Sequence, residues 1–413
     1  MKKILMLNAD DFCIDGMRDA LEGSGAGVTL RKVTQDEILD PDCKPVREWI
    51  AGSASEAGES SAFSFNFYPP VAIACHDAGV RYISWVYDNP CIHLYHYSVS
   101  FDTNEIYVFE SDTAEYFTAH GIGNVHYLPM AADPERLEKV ISGAAGGSGK
   151  GPGNAMGEVG AYSAPKDISF VGSLYDEEHD FWSRMIGKGI SAHTEGYLRG
   201  IMEAQKRVYG CDLISASLTD EILEDMHRAL PLEPDAGSVA DSRYLFAKYV
   251  IDRRITAEER RDLLEKASDC GEVHIYTRNP KSSIKGCINH GPANSDTQAP
   301  LVYASSKINL NISLRSITHG IPLRAFEIMG SGGFLLTNYQ ADMERFFVAG
   351  EDYDYFESPE DMCEKIRYYL KNEDVRKRIA KKGKSMIEER HTFTNRLSDL
   401  LRIDIGNVIK LLD

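Results

Sequence analysis

Short apolar runs alternate with helix-like segments along most of this chain. This alternation is the signature of parallel β/α layers, because strands that are buried on both faces read as continuous apolar runs and are joined by helices. In the N-terminal part, two of the runs end in polar loops. The predicted strands of this part are Lys3 to Asn8, Tyr82 to Tyr87, Glu105 to Phe109 and Asn124 to Leu128.

The same alternation returns in the C-terminal part, which predicts a second doubly wound sheet. A helical insertion of about 176–267 interrupts it, and a capping box at Thr256-Ala257-Glu258-Glu259 is predicted to start the last helix of that insertion. A length of 413 residues also favours two domains over a single core. The predicted strands of this part are Phe170 to Gly172, Glu272 to Tyr276, Lys307 to Asn311 and Gly333 to Thr337.

A segment rich in Gly, Ser and Ala separates the two predicted sheets. Residues 142–160 carry too little apolar surface to order themselves, so the segment is predicted to be a flexible interdomain loop. A last helix is predicted at Arg396 to Leu412. The predicted organisation is therefore an N-terminal domain at 1–141, a linker at 142–166, a C-terminal domain at 167–390 and a terminal helix at 391–413.

Charge and cysteine usage limit the partners and the compartment. A formal net charge of -18 argues against nucleic acid and anionic lipid as main partners. The first apolar run is too short for a secretory signal, and nothing in the sequence predicts a membrane span. The eight cysteines have no C-x-x-C spacing, which favours reduced thiols and a cytoplasmic location.

The segment from Ser313 to Tyr339 concentrates ionic groups just before an apolar helix. The pattern predicts a polar loop, a helix from about Pro322 to Met329, a glycine break and a buried strand. Free N–H groups at the start of such a helix make an anion site, and a cationic side chain can hold phosphate while a carboxylate accepts ribose hydroxyls. The candidate donor-binding groups here are Arg315, His319, Gly320, Arg324 and Glu327.

This segment resembles the C-terminal donor site of group 1 glycosyltransferases of the GT-B fold, most closely the branch with spore-maturation-type members. In that family an acidic pair separated by seven residues grips sugar and ribose. Glu327 matches the second acid, whereas His319 stands in the place of the first. Two further segments are similar to the family, Phe170 to Leu174 at the opening of its donor domain and Tyr127 to Pro134 at the close of its first domain.

The resemblance implies an α/β fold of two Rossmann-like doubly wound parallel sheets facing a cleft. It places the acceptor on the N-terminal side and the nucleotide-sugar donor on the C-terminal side, with the last helix crossing back to the first domain. The implied activity is that of a hexosyltransferase-type glycosyltransferase, which moves a sugar from a nucleoside-diphosphate sugar to a glycan, protein or small-molecule hydroxyl without a cofactor. A nucleotide-sugar epimerase and a catalytically idle binding or assembly protein are the open alternatives, and His319 favours the second.

Loops that follow strands are where ligands bind in parallel sheets, so they hold the other candidates. Gly172-Ser173 either lets backbone N–H groups approach a phosphate or only makes a turn. Tyr276-Thr277 follows the next strand, where the family contacts the nucleotide base, and Tyr276 either stacks on the base or is an ordinary half-buried tyrosine. The Asn311 amide either bonds the ligand or satisfies its own loop.

Acidic groups follow two strands of the N-terminal part. Asp88 stands at a strand end before Asn89-Pro90, where it is either the base that deprotonates the acceptor hydroxyl or part of a turn. Asp10 and Asp11, after the first strand, are further candidates on the acceptor side.

Two groups of possible metal ligands are not predicted to bind metal. Cys91, His93 and His96 lack a second ligand pair at zinc spacing. Asp352-Tyr353-Asp354 has the D-x-D form, but it is predicted to be a solvated loop. Arginine and a helix terminus can stabilise a leaving diphosphate, so the predicted transfer is metal-independent.

Overall fold

The computed structural model describes residues 3–11, 13–56, 60–145, 160, 162–176, 180–234 and 237–401. They form two compact units. Unit 1 holds the described residues up to Asp133, together with 237–239 and 390–401, and unit 2 holds the rest. Within the described ranges, no helix combines the length and the apolar composition that crossing a bilayer requires.

Unit 1 is built on a six-stranded parallel sheet with the order β2-β1-β3-β4-β5-β6. β2 lies on one side of β1, and β3 to β6 follow on the other side. The strand order therefore reverses between β1 and β3. Ligands in open α/β sheets bind outside the carboxyl ends of the strands at such a switch point. The strands are β1 (Lys3–Asn8), β2 (Gly27–Lys32), β3 (Ser60–Phe65), β4 (Arg81–Val86), β5 (Asn104–Val108) and β6 (Val125–Tyr127).

Helices cover the sheet of unit 1 and enclose its apolar core. The last described helix belongs to this unit, since Phe393 packs edge-on against Trp85, and Arg396 donates hydrogen bonds to the carbonyls of Pro129 and Met130. The helices are α1 (Ile14–Gly23), α2 (Gln35–Leu39), α3 (Lys44–Glu56), α4 (Pro69–Ala78), α5 (Ser111–Ala119) and the terminal Phe393–Leu401, with 3-10 turns at Ile92–Tyr95 and Tyr97–Ser100.

Unit 2 has a second six-stranded parallel sheet, with the order β12-β11-β10-β7-β8-β9. Its order reverses between β7 and β10, which places the switch point at the carboxyl ends of those two strands. The strands are β7 (Lys166–Val171), β8 (Val273–Tyr276), β9 (Cys287–Asn289), β10 (Ser306–Asn311), β11 (Leu335–Asn338) and β12 (Asp354–Phe356).

A helical insertion between β7 and β8 has an apolar core of its own, centred on buried side chains such as Trp182, Leu198 and Phe246. Its helices are Phe181–Gly187, Ala192–Gln205, Leu213–Ser217, Asp220–Ala229, Ser242–Leu245, a π-helical turn at Phe246–Ile251, and Asp252–Ser268. The other helices of unit 2 are α6 (Pro134–Ala145), Ala299–Ser305, Leu323–Gly330, a 3-10 turn at Ala341–Arg345, Pro359–Lys371 and Glu373–Arg390.

The structure confirms every strand predicted from the sequence, with shifts of up to four residues at the ends, and adds four. β2, β9 and β12 lie at sheet edges and are short or exposed, so they lack the continuous apolar run of a central strand. β3 was also missed. Most of the predicted linker, 146–159, and the predicted helix beyond residue 401 lie outside the described residues.

Three local predictions were wrong. Residues 142–145 end helix α6, and α6 belongs to unit 2, so the boundary between the units precedes this helix. The helix predicted to start at Thr256 begins at Asp252, where the π-helical turn leads directly into it. The D-x-D segment is buried rather than solvated. Its carboxylates have partners within the protein, since Asp352 accepts a hydrogen bond from the Val348 N–H and Asp354 accepts one from the Tyr369 hydroxyl.

Candidate functional site

Helix Leu323–Gly330, named the 323 helix below, carries Arg324 and Glu327 at the switch point of unit 2. Pro322 precedes it in an extended conformation and stands at the cap position rather than inside the first turn. No described residue provides an acceptor for the backbone N–H groups of Leu323 or Arg324. Two free N–H donors, the positive end of the helix dipole and the Arg324 side chain therefore lie at the same end of the helix. This arrangement suits an anion.

Arg324 is oriented by three groups from the two strands at the switch point. Its Nη1 donates a hydrogen bond to Asn311 Oδ1 at 3.0 Å. The guanidinium also lies over the Phe170 ring, 5.9 Å from the centroid. A Cβ on Gly172 would come within 3.0 Å of Arg324 Nη2, so the missing side chain of this glycine leaves space for the guanidinium.

Glu327 is a buried carboxylate with two arginines nearby. The residue is only 8% exposed, and Arg136 Nη2 of helix α6 lies 3.4 Å from its Oε1. Burial raises the pKa of the Glu327 carboxyl to about 7, while Arg136 and Arg324 act in the opposite direction. The group therefore exchanges a proton near neutral pH.

Residues in the loops after β7 and β8 make more contacts within the protein than the sequence predicts. The Gly172 N–H donates to the Tyr276 carbonyl, so it is not free to approach a phosphate, and Ser173 Oγ accepts the Tyr175 N–H. The Tyr276 ring is stacked on His290 with the centroids 4.8 Å apart. Both the Tyr276 hydroxyl and Thr277 Oγ1 are buried without a hydrogen-bond partner among the described residues.

Arg315 is bound elsewhere in unit 2. Its guanidinium pairs with Glu259 and donates to the carbonyls of Lys206 and Val208, which leaves it unsuited to a phosphate contact. His319 is half-buried, with Nε2 at 3.2 Å from the Gly210 carbonyl oxygen, and Gly320 beside it is buried.

In unit 1, Asp88 follows β4 and is held by Asn66, which follows β3. Asn66 Nδ2 donates to Asp88 Oδ2 at 2.8 Å, and Asn66 Oδ1 accepts the backbone N–H groups of Tyr87 and Asp88. Asn66 has a positive φ of 56°, a left-handed conformation that asparagine adopts more readily than most residues. Asp88 keeps contact with solvent, yet the protein atoms around it displace enough water to raise its pKa.

Asp11 lies beside Asp88 at the switch point of unit 1. Its Oδ2 accepts the Ala9 N–H at 3.1 Å, and its Oδ1 accepts the Tyr87 hydroxyl at 3.1 Å. Burial raises the pKa of Asp11 to about 6, and the charge of Asp88 acts in the same direction. Asp10 points away from this pair, since it is exposed and forms an ion pair with Lys32.

The structure thus gathers two sets of side chains, one in each unit. Arg136, Asn66 and Tyr87 are not predicted from the sequence, because only the tertiary fold brings them to the predicted carboxylates. Of these three residues, only Tyr87 has a signal in the sequence, because it directly precedes Asp88 at the end of a predicted strand. Among the described residues, no group of three or more His, Cys, Asp or Glu side chains is arranged to hold a metal ion.

Comparison with solved structures finds chains whose overall fold is similar to this one. The chain is similar to sucrose-phosphate synthase from Thermosynechococcus elongatus, with 9% identity, coverage of 100% of this chain and 99% of that one, and a TM-score of 0.52. It is also similar to HepE from Anabaena in complex with UDP and glucose, with 10% identity, 99% coverage of both chains and a TM-score of 0.48. An α,α-trehalose-phosphate synthase from Burkholderia xenovorans has 10% identity, coverage of 97% and 99%, and a TM-score of 0.49.

The two parallel sheets and the likeness to sucrose-phosphate synthase confirm the predicted fold class, which is the GT-B fold with two Rossmann-like units. A family described as glycosyl transferase-like matches residues 253–402, a range that includes Arg324 and Glu327. Comparison with the curated proteins finds no match. The matched part of the chain is therefore glycosyl transferase-like in sequence.

Proposed function

We propose that this protein is a glycosyltransferase that moves a sugar from a nucleoside-diphosphate sugar to an acceptor hydroxyl. The observation that carries the proposal is the pair formed by Arg324 and Glu327 on one short helix, at the switch point of unit 2 and inside the glycosyl transferase-like segment. An arginine next to free helix N–H groups suits a diphosphate, and a buried carboxylate suits ribose hydroxyls.

The chemistry that we assign to these groups is a single group transfer. The acceptor hydroxyl gives its proton to the Asp88 carboxylate, and its oxygen forms a bond to the anomeric carbon of the donor sugar. The bond between that carbon and the diphosphate oxygen breaks, and its electron pair leaves with the nucleoside diphosphate. Arg324 and the amino end of the 323 helix stabilise the charge that develops on the leaving group.

Two further donor contacts are assigned where a buried hydroxyl has no partner among the described residues. We assign Tyr276 and Thr277 to the nucleotide base, because each has a buried hydroxyl that no described residue satisfies. His319 and Gly320 are assigned to the sugar from the motif resemblance. Ser173, in the loop after β7, is assigned to the donor as well. Arg315 receives no donor role, since its N–H groups are used within unit 2.

The proposal is tested by a thermal-shift panel of UDP, GDP, ADP and CDP on the full chain. A ligand present at 100 times its dissociation constant stabilises the folded protein by about 2.7 kcal/mol. Glu327→Gln should weaken the best ligand by roughly 1–3 kcal/mol, the scale of a hydrogen bond to a charged group. Exposed Glu388→Gln, which removes one negative charge elsewhere in unit 2, is the matched control. A panel in which no diphosphate binds would reject the proposed function.

The epimerase and the idle binding protein are separated from a transferase by incubating the matching nucleotide sugar alone. An epimerase converts the donor without acceptor, a transferase hydrolyses it slowly, and an idle protein binds it unchanged. The presence of His319 in place of the family's first acid is the feature that makes this comparison necessary.

We also propose that the transfer needs no divalent metal, because Arg324 and the 323 helix supply positive charge. Activity that is lost in excess chelator and restored by manganese would contradict this. A cytoplasmic location is proposed from the eight free cysteines, and membership of the spore-maturation-type branch from the motif resemblance.

A further inference from the structure

Arg136 lies beside the carboxylate that we assign to the donor ribose, although it comes from a distant part of the chain. It is 191 positions from Glu327 in sequence, on helix α6, which packs in unit 2. Its Nη2 lies 3.4 Å from Glu327 Oε1, and its Nη1 donates to the Asp296 carbonyl at 2.9 Å. The second bond fixes the guanidinium, since it ties the far side of the group to the loop before helix Ala299–Ser305.

Charged and titratable groups from every element around Glu327 act on its carboxylate. Arg136 comes from α6, Arg324 from the 323 helix itself, Asp296 from the loop, and Tyr303 from helix Ala299–Ser305. Desolvation opposes ionisation of a buried carboxyl, and Arg136 is the strongest influence in the opposite direction. The Arg324 guanidinium acts in the same direction but more weakly, and its Nη1 donates to Asn311.

We propose that Arg136 is a positioning residue for the donor site: it keeps the Glu327 carboxylate ionised and fixed so that this group can accept hydrogen bonds from the ribose hydroxyls. The inference rests on the proposed function and adds a residue that the 313–339 motif does not contain. Arg136 acts through Glu327 and does not itself touch the nucleotide.

A double-mutant cycle tests whether Arg136 acts through Glu327. UDP affinity is measured by calorimetry for the full-length wild type, Arg136→Gln, Glu327→Gln and the double variant. Each single change should weaken UDP about tenfold, and the double variant should be no weaker than Glu327→Gln, because residues that share one contact are not additive. Lys139→Gln, an exposed lysine on the same helix, removes the same charge and should leave UDP affinity unchanged.

The pH profile of UDP affinity supplies a readout that a merely structural role would not move. In the wild type the affinity should fall as the pH is lowered through about 7, where the Glu327 carboxyl takes up a proton. Without the cation of Arg136, the ionised form is less favoured, so Arg136→Gln should move this fall to higher pH. The Glu327→Gln profile gives the contribution of the diphosphate itself, whose own proton uptake has a pKa of about 6.

Arg136→Lys keeps the charge and should retain most of the affinity, and it replaces Arg136→Gln if that variant does not fold. Losses that add in the double variant would show that Arg136 contacts UDP directly and would overturn the positioning role. An unshifted pH profile would overturn it as well. If the wild type binds UDP and Glu327→Gln binds it less well, such results reject only the role of Arg136. If neither UDP nor the other diphosphates bind the wild type, the proposed function fails with it.

Discussion

The two switch points of this molecule hold carboxylates with opposite kinds of neighbours. In unit 2, Glu327 is surrounded by the cations of Arg136 and Arg324. In unit 1, the side chains of Asp11 and Asp88 have an amide, a phenol and one backbone N–H as their hydrogen-bond partners among the described residues, and each described charge that acts on the Asp11 carboxyl is negative. Burial raises the pKa in both places, but only unit 2 offsets it with positive charge.

This difference matches the two kinds of chemistry that the proposed sugar transfer needs. A carboxylate among arginines stays available as a hydrogen-bond acceptor beside a charged diphosphate. A carboxylate without a cation gains proton affinity, which is what a base requires when it takes a proton from a neutral hydroxyl. Substitutions in each unit test whether one site binds the diphosphate and the other supplies the base.

The largest effect is expected from Asp88→Asn. If Asp88 is the base, turnover should fall by about 10²–10⁴, while the affinity for the nucleoside diphosphate stays the same, because the base acts in the transition state. Steady-state kinetics and calorimetry on one preparation measure both quantities. Asp77→Asn, an exposed aspartate of the same unit, is the control. Near-normal turnover with a lower melting temperature would show that Asp88 only supports the turn before Pro90.

Arg324→Gln should reduce kcat/KM by about 10²–10³, the usual loss when one donor to a developing negative charge is removed. Unlike Asp88→Asn, it should also weaken the binding of the diphosphate product. Arg207→Gln, which removes an exposed arginine of the helical insertion, should change neither quantity. A loss of turnover with unaltered diphosphate binding would contradict the assignment of Arg324 to the leaving group.

Gly172→Ala probes the space in which the guanidinium lies. The added Cβ would meet Arg324 Nη2 at 3.0 Å and the Phe170 ring at 3.1 Å. Overpacking of this kind costs about 1–3 kcal/mol, so diphosphate affinity should drop about tenfold as the arginine shifts. The drop should vanish in an Arg324→Gln background. Gly187→Ala, where a Cβ meets nothing within 4 Å, is the control.

The smallest effect concerns stability rather than activity. The pKa of Asp11 is raised to about 6 in the folded state, so the wild type should lose stability as the pH rises from about 4 to about 6. Asp11→Asn removes the titrating group and should flatten the pH dependence by about 1–2 kcal/mol, less than a full two-unit shift implies, because the carboxyl of the unfolded chain is already largely ionised at pH 4.5. Urea unfolding at pH 4.5 and 7.5 measures it. If the free energy of unfolding differs between the two pH values by the same amount in Asp11→Asn as in the wild type, Asp11 is not the source of the pH dependence.

Local sequence patterns predicted the central strands other than β3, and the 323 helix, because burial and helix capping leave direct traces in neighbouring residues. Arg324 and Glu327 were found for the same reason, since both lie on that helix. The partners of these residues could not be predicted in this way. Asn66 and Arg136 reach their carboxylates only through strand order and helix packing, and the space at Gly172 is defined by a side chain from another element.

The interior of unit 2 also links the helical insertion to the loop that leads into the 323 helix. Arg315, in that loop, is held by Glu259 and by the carbonyls of Lys206 and Val208, while its N–H donates to Thr256. Release of this loop would leave a buried carboxylate unpaired, at a cost of roughly 3–5 kcal/mol. The insertion and the loop should therefore open as one cooperative unit, and the fluorescence of Trp182, buried in the core of the insertion, would report on the integrity of a loop that contains no tryptophan.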